Sequence, residues 1–178
     1  MIGLIKKDLK LSIKINLIAV IYVLFISVNG LLSKDLLVGN IIYVLSIIIF
    51  TFVVVIYVNG FDDKYKSEVV LNSFPIDRRN IVRSKYITLI IFILISSAAI
   101  IALTNILPML LNIDGKASAS IQTVIIAANI LLLFYSIDYP IYFKVGEGLR
   151  TFNTILWLLM MLAPSLLVKF LKTLDERG

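Results

Sequence analysis

The acidic side chain placed furthest into an apolar stretch of this sequence is Asp138, in the run FYSIDYPIYFK, two residues before Pro140. A carboxylate held at depth in a membrane is costly, and such residues mark gates, ion paths or contacts between helices. Asp138 falls near one end of its stretch, where a charge costs far less than at the centre. Two interpretations stay open: a gate or helix-contact group or, favoured, an interfacial residue that shares water with Lys144.

Two residue types that often carry chemistry, Cys and His, are missing from the sequence. The chain has neither Cys nor His, which removes thiolate nucleophiles, imidazole bases, disulfides and the usual zinc ligands. It has no G-x-x-x-x-G-K-[ST] motif, and the VGEG run at 145–148 lacks the following Lys that a phosphate-binding loop requires. We therefore predict no catalytic, metal-binding or cofactor-binding residues and no enzymatic activity of the chain itself.

Composition and apolar runs indicate the elements that must position these residues. The 178 residues are 60% hydrophobic with a mean hydropathy of +1.02, too apolar for a water-soluble domain of this length. A helix needs about 20 apolar residues to cross a membrane, and unbroken runs of this length do not fit β-barrel strands. We predict one all-α, polytopic membrane domain over residues 1–178, with five spans at about 15–32, 36–58, 87–111, 121–143 and 151–170.

The basic residues predict the orientation in the cell membrane. With the N-terminus in the cytoplasm, 12 of the 17 Lys and Arg residues lie in inner segments and 5 in outer ones, as the positive-inside rule requires. The net charge of +6 is then explained by basic flanks that meet anionic membrane lipid. Nucleic acid is not expected as a partner, because no soluble domain exists to present the charge.

The first 14 residues, MIGLIKKDLKLSIK, show helical periodicity of their own. Ile2, Ile5, Leu9 and Ile13 recur at helical spacing, while the lysines lie mostly elsewhere. This pattern predicts an amphipathic helix on the inner leaflet ahead of the first span. Simple basic flanking of the first membrane helix is the alternative.

Polar residues and prolines within the predicted spans favour helix packing over a reaction site. Asn, Ser and Thr in a membrane helix are expected to hydrogen-bond to neighbouring helices, and a polar path through the membrane is the alternative. Prolines free backbone carbonyls and permit kinks. The polar residues are Asn29, Asn40, Ser96, Ser97, Thr104, Asn105 and Asn129, and the prolines are Pro108 and Pro164.

The inner segment between the second and third spans reads GFDDKYKSEVVLNSFPIDRRNIVRSKY. Asp62 or Asp63 is placed to cap a short helix that reaches to about Asn72. Pro75 ends that helix, and Asp77 caps a second one that continues into the third span. Two capped pieces at a proline bend indicate a segment that presents a short helix to a partner.

This segment resembles the small permeases of type-two ABC exporters, which are common in low-GC Gram-positive bacteria. Their inner loop reads Asp-Glu-Lys, about ten residues, Ser-Leu-Pro-[Val/Ile]-Ser-Arg, and then Ile-Val-x-Ser-Lys-Tyr. The run YPIYFKVGEGLR at 139–150 is similar to a second family segment. The matching positions in the loop are Asp62, Asp63, Lys64, Ser73, Phe74, Pro75, Ile76, Asp77, Arg78, Ile81, Val82, Ser84, Lys85 and Tyr86, with Phe74 for Leu and Asp77 for Ser.

The resemblance implies a mechanism and partners. Two permease subunits would pack around the path of the exported molecule, and a separate cytoplasmic ABC ATPase would bind beneath each one. The helix at 62–73 would be the coupling helix. The family usually has six spans, one more than predicted here. The residues expected to meet the ATPase are Asp62, Asp63, Tyr65, Lys66, Val69, Val70, Phe74, Pro75 and Arg78.

The substrate and one rival function remain open at this point. An apolar interior with scattered Asn residues is compatible with an amphipathic or antimicrobial peptide as the exported molecule. The hydropathy pattern fits equally well a membrane scaffold without transport activity, or an immunity protein that shields its host from a peptide. Co-purification of an ATPase discriminates between these functions.

Overall fold

The computed structural model describes residues 2–31, 33, 35–65, 77–111, 118–145, 153 and 155. Within these ranges the chain forms four α-helices and no strand: α1 (Ile2–Leu31), α2 (Leu36–Lys64), α3 (Arg78–Leu111) and α4 (Ile121–Val145). All four are long and apolar enough to cross a membrane. The predicted all-α, polytopic membrane fold is confirmed. Of the predicted fifth span at 151–170, only Asn153 and Ile155 belong to the described residues, and both are helical.

Helix α2 lies at the centre of the bundle and contacts α1, α3 and α4. It is apolar on all sides, as expected for a helix that is surrounded by others. Its seam with α4 is aromatic: Phe52 meets Phe134 edge-on at 5.4 Å between ring centroids and lies 6.2 Å from Tyr135. Within α4, Tyr135 packs on Tyr139 at 5.1 Å. Tyr139 also meets Tyr86 of α3 edge-on at 5.1 Å. Aromatic packing therefore joins α2, α3 and α4.

Helix α1 faces the bundle with small and polar residues. Its buried residues, spaced three, four or seven apart except for the adjacent last two, are Asp8, Ser12, Ala19, Val23, Ser27, Gly30 and Leu31. Small residues on one face allow membrane helices to approach closely. The opposite face carries exposed apolar side chains such as Leu17, Ile21 and Phe25, which suits contact with lipid or a second subunit.

The structure does not separate the predicted amphipathic segment 1–14 from the first span. Helix α1 is continuous over 30 residues, about 45 Å at 1.5 Å per residue, whereas the hydrocarbon core is about 30 Å thick. The residues of the amphipathic pattern are thus the first turns of a helix that continues into the first span, and their position on the inner leaflet stays a prediction. Ile2 and Ile13 are exposed, while Asp8 is buried against the bundle.

Capping side chains fix where α3 and α4 begin. The backbone N–H of Arg79 donates to Asp77 Oδ1 at 3.1 Å, so the predicted Asp77 cap is confirmed. At the start of α4, Ser120 Oγ accepts from the Thr123 N–H at 3.4 Å, and Thr123 Oγ1 accepts from the Ser120 N–H at 3.4 Å. Such reciprocal bonds satisfy N–H groups that the first helical turn leaves free.

Within the spans, the predicted hydrogen bonds between helices form in some places and not in others. Ser96 of α3 shares a buried hydrogen bond with Thr51 of α2 at 2.9 Å, as predicted. The amides of Asn29, Asn105 and Asn129 instead donate to carbonyls four residues earlier in their own helices, at 2.7–2.8 Å, and all three side chains are exposed. For these three amides the prediction was wrong, because a local carbonyl is always within reach of an Asn side chain.

The Thr51–Ser96 bond gives a first testable prediction. Ser96 Oγ–H already donates to the Ile93 carbonyl at 2.9 Å, so Thr51 is the donor to Ser96. Thr51→Val keeps the shape but removes the donor, and we expect a loss of about 0.6 kcal/mol and at most about 1.7 kcal/mol. The loss of stability is measured by unfolding in an SDS titration. A double-mutant cycle with Ser96→Ala gives the coupling energy between the two hydroxyl groups. Ser136→Ala is the control, because its exposed hydroxyl bonds within α4. A coupling energy of zero contradicts the prediction.

Candidate functional site: a ring of charges at the helix ends

Four charged side chains meet where the N-terminal part of α1, the C-terminal end of α2 and the first turns of α3 come together. Asp62 accepts hydrogen bonds from Lys7 through Oδ1 and from Lys85 through Oδ2, the latter at 2.6 Å. Asp8 Oδ1 lies 3.3 Å from the Lys7 ammonium, and its Oδ2 lies 3.3 Å from that of Lys85. Each carboxylate thus bridges both lysines, and we call Lys7, Asp8, Asp62 and Lys85 the ion ring.

Local helix geometry places these groups. Asn59 and Asp62 lie three residues apart on one face of α2, so both reach the same neighbour. The Lys85 ammonium donates to Asn59 Oδ1 at 3.1 Å and to Asp62 Oδ2 at 2.6 Å, and it forms an ion pair with Asp8. Lys7 and Asp8 are adjacent in α1, and Asp8 belongs to the buried face of that helix.

The ion ring is largely removed from water. The side chains of Asp8, Asp62 and Lys85 are 2%, 8% and 10% exposed, against 35% for Lys7. Buried charges are tolerated when they are paired. All four charges of the ring are paired, and Asp62 also accepts a hydrogen bond from each lysine, whereas Asp8 Oδ1 has no hydrogen-bond partner. Asp62 also lies in the last turn of α2, where the helix dipole disfavours an acid. The two lysines offset both effects, so removal of either partner leaves a buried charge uncompensated.

The placement of Asp62 corrects one prediction. Helix α2 continues to Lys64, so Asp62 ends the membrane helix and does not cap a separate short helix that begins there. Its carboxylate is occupied by Lys7 and Lys85 within the chain. From the sequence, Asp62 was interpreted as a surface acid, because its partner lysines are 55 and 23 residues away.

The other predicted contact residues fall in three groups. Tyr65 is 63% exposed and follows α2, with its ring stacked on Phe61 at 5.9 Å. The backbones of Asp63 and Arg78 belong to α2 and α3, but their side chains are not among those described. Lys66, Val69, Val70, Phe74 and Pro75 lie outside the described residues.

Asp138 of α4 is buried, with 6% of its surface exposed. Its Oδ1 accepts a hydrogen bond from Asn153 Nδ2 at 3.0 Å. Lys144, by contrast, is exposed and lies in the last turn of α4. The hydrogen bond joins α4 to a helical residue later in the chain, which agrees with the interpretation of Asp138 as a helix-contact group. The interfacial position with water shared with Lys144 stays a prediction.

No cluster of three or more acidic, His or Cys side chains suited to a metal ion occurs within the described ranges.

A model of the family described as ABC-2 family transporter protein matches residues 3–176, almost the entire chain. The chain belongs to the ABC-2 transporter family. Searches of curated proteins and of solved structures gave no match.

Membership of the ABC-2 transporter family makes the chain a permease component of an ABC transporter and implies an ATP-binding partner subunit. The four apolar helices agree with a multi-pass membrane component of this kind. The ion ring of this ABC-2 permease was missed in the sequence, where Asp8 was treated as part of a basic flank. One signal could have identified it: Asp8 begins the regular series of small and polar residues along α1.

Proposed function

We propose that this ABC-2 permease is the membrane subunit of an exporter, and that the segment between α2 and α3 receives the motion of a separate ATPase. The ion ring is the observation that carries the proposal. It lies at the helix ends that border residues 66–76, the segment that resembles the family's coupling loop. Hydrolysis of ATP belongs to the partner subunit.

Both ends of this segment are attached to structure that can transmit a displacement. On one side, Asp62 belongs to the ion ring. On the other side, Asp77 caps α3, and Lys85, two turns further on, belongs to the same ring. Lys7 and Asp8 extend the connection to α1. A push on the segment would therefore move three helices together, as rigid-body switching between inward-open and outward-open states requires.

The remaining parts of the proposal follow from charge and surface. We place the ion ring and the N-terminus at the cytoplasmic side of the cell membrane, because that orientation satisfies the positive-inside rule. A second permease subunit, identical or related, would cover part of the exposed apolar surface, and lipid would cover the rest. The exported molecule would be an amphipathic peptide, which an apolar path can accommodate.

Co-purification tests the proposed function. The tagged wild-type chain is expected to bring down an ATPase from its native membranes. Val70→Asp should reduce that yield to about a tenth or less, because buried apolar anchors carry most of an interface's free energy. Lys66→Ala is the matched control and should change the yield little, because charges at the rim contribute little.

The same experiment can overturn the proposal. An undiminished ATPase yield from Val70→Asp would mean that these side chains face the inner leaflet, as interfacial apolar residues do. A wild-type chain that never brings down an ATPase would favour the scaffold or immunity function. Membrane insertion of each variant is checked by extraction and size-exclusion chromatography.

A further inference from the structure

A second buried polar group lies between α2 and α4, apart from the ion ring. Tyr135, Asp138 and Asn153 line a small cavity together with Asn59 and Gly60 of α2. The three residues are 1%, 6% and 7% exposed. The cavity has room for a body of about the size of one water molecule.

Three oxygen atoms of this group have no hydrogen-bond partner among the described residues: Tyr135 Oη, Asp138 Oδ2 and Asn153 Oδ1. Buried polar atoms are almost always paired, so three orphans around one cavity need an occupant. Two of the three, the carboxylate and amide oxygens, are acceptors without a proton to donate. An occupant must therefore offer positive charge or hydrogen-bond donors to them.

The charge of Asp138 indicates which kind of occupant fits the cavity. Its carboxylate receives one hydrogen bond, from the neutral amide of Asn153. The ion pairs found in the described part of the chain all belong to the ion ring. A buried carboxylate without a cation costs several kcal/mol, and a single positive charge in the cavity would balance it.

We propose that Asp138 Oδ2, Asn153 Oδ1 and Tyr135 Oη bind a monovalent metal cation, a sodium or potassium ion. Oxygen atoms are the ligands that hard cations prefer. One carboxylate matches one positive charge, whereas a calcium ion would leave one positive charge uncompensated in a buried site. The bound ion would hold α4 to Asn153 and fill the cavity beside α2.

Thermal unfolding of the purified full chain in detergent tests this site. Sodium or potassium chloride is compared with choline chloride at equal ionic strength, since choline is too large for the cavity. We expect the metal chlorides to raise the unfolding midpoint by about 2–4 °C in a saturable way. Equilibrium binding of radioactive sodium should give one site per chain. Neither measurement requires ATP or a partner subunit, so failure here is separate from failure of the proposed transport function.

Variants assign the effect to the site. Asp138→Asn should lose the cation dependence, and Tyr135→Phe should weaken the apparent cation affinity about three- to tenfold while it leaves the carboxylate in place. Asp35→Asn makes the same chemical change at an exposed position and should keep the full dependence. If Asp138→Asn does not fold, the site is tested by Tyr135→Phe, whose stabilisation should need a higher cation concentration than that of the wild type.

Two results would overturn the proposal. Equal midpoints in sodium, potassium and choline chloride for the wild type would mean that water fills the cavity or that Asp138 is protonated. A cation dependence that survives unchanged in both Asp138→Asn and Tyr135→Phe would place the bound ion elsewhere in the chain.

Discussion

Asp62→Asn is expected to lower the free energy of unfolding by about 3–5 kcal/mol, the usual cost of removing one partner from a buried ion pair. The substitution keeps the size of the side chain but removes its charge. Lys7 and Lys85 would then share Asp8 alone. The new amide N–H₂ would also have to face one of the two ammonium groups, donor against donor. Unfolding in SDS or by heating measures the change.

Controls separate the ion ring from a general effect of losing an acid. Asp77→Asn makes the same chemical change at an exposed position and keeps the helix cap, because Asn caps helices as well as Asp does. Lys7→Ala should cost less than Asp62→Asn, because the Lys7 side chain is 35% exposed and water can solvate part of the charge that it leaves behind. If Asp62→Asn proves as stable as Asp77→Asn, the ion ring does not hold the helix ends together.

Exchanging the charges of Asp62 and Lys85 also tests whether these side chains form an ion pair. Asp62→Lys combined with Lys85→Asp keeps two positive and two negative groups in the ring. We expect this double variant to be more stable than either single substitution, since each single one places three like charges in a buried cluster. A double variant that is no better than the worse single one would contradict the pairing.

Gly30→Ala is the second substitution expected to have a large effect. A Cβ at this position would lie 2.5 Å from Tyr43 Cε1 and 2.8 Å from Tyr43 Cζ. Tyr43 is fully buried at this contact between α1 and α2, so the ring cannot swing away into open space. We expect a loss of about 1–3 kcal/mol, typical of inserting a methyl group into a packed core, measured by SDS unfolding.

Gly3→Ala is the matched control for this steric effect. Gly3 lies in the same helix, and a Cβ there meets no heavy atom within 4 Å. Both substitutions gain helix propensity, so the difference between them isolates the clash. Tyr43→Leu should relieve it, and the double variant should lose less than the sum of the single losses. Equal stability of Gly30→Ala and Gly3→Ala would contradict the close approach.

The fold of this permease could be predicted from features that are local in sequence. Runs of about 20 apolar residues predict membrane-spanning helices. Asp77 caps α3, and a helix cap depends only on the next few residues. The resemblance to ABC exporter permeases rested on the loop motif and the run at 139–150, and the ABC-2 transporter family model matches residues 3–176. These inferences required no knowledge of how the helices pack.

The ion ring could not be predicted in this way, because its members come from three separate helices. Asp8 stands among four lysines, and nothing local indicates that it turns inward. The apolar periodicity of residues 1–14 was interpreted as a helix that lies on the membrane, whereas small and polar residues mark the packed face of α1. The close contact of Tyr43 with Gly30 likewise joins two different helices. Such contacts depend on which helices become neighbours.

The balanced composition of the ion ring has an electrical consequence. Two lysines and two aspartates carry no net charge together, so their movement as a unit does no work against the membrane voltage. A single unbalanced charge that crossed the whole field would contribute about 2.3 kcal/mol for each 100 mV. Movement of the ion ring itself therefore has the same energetic cost in a polarised cell and in a depolarised one.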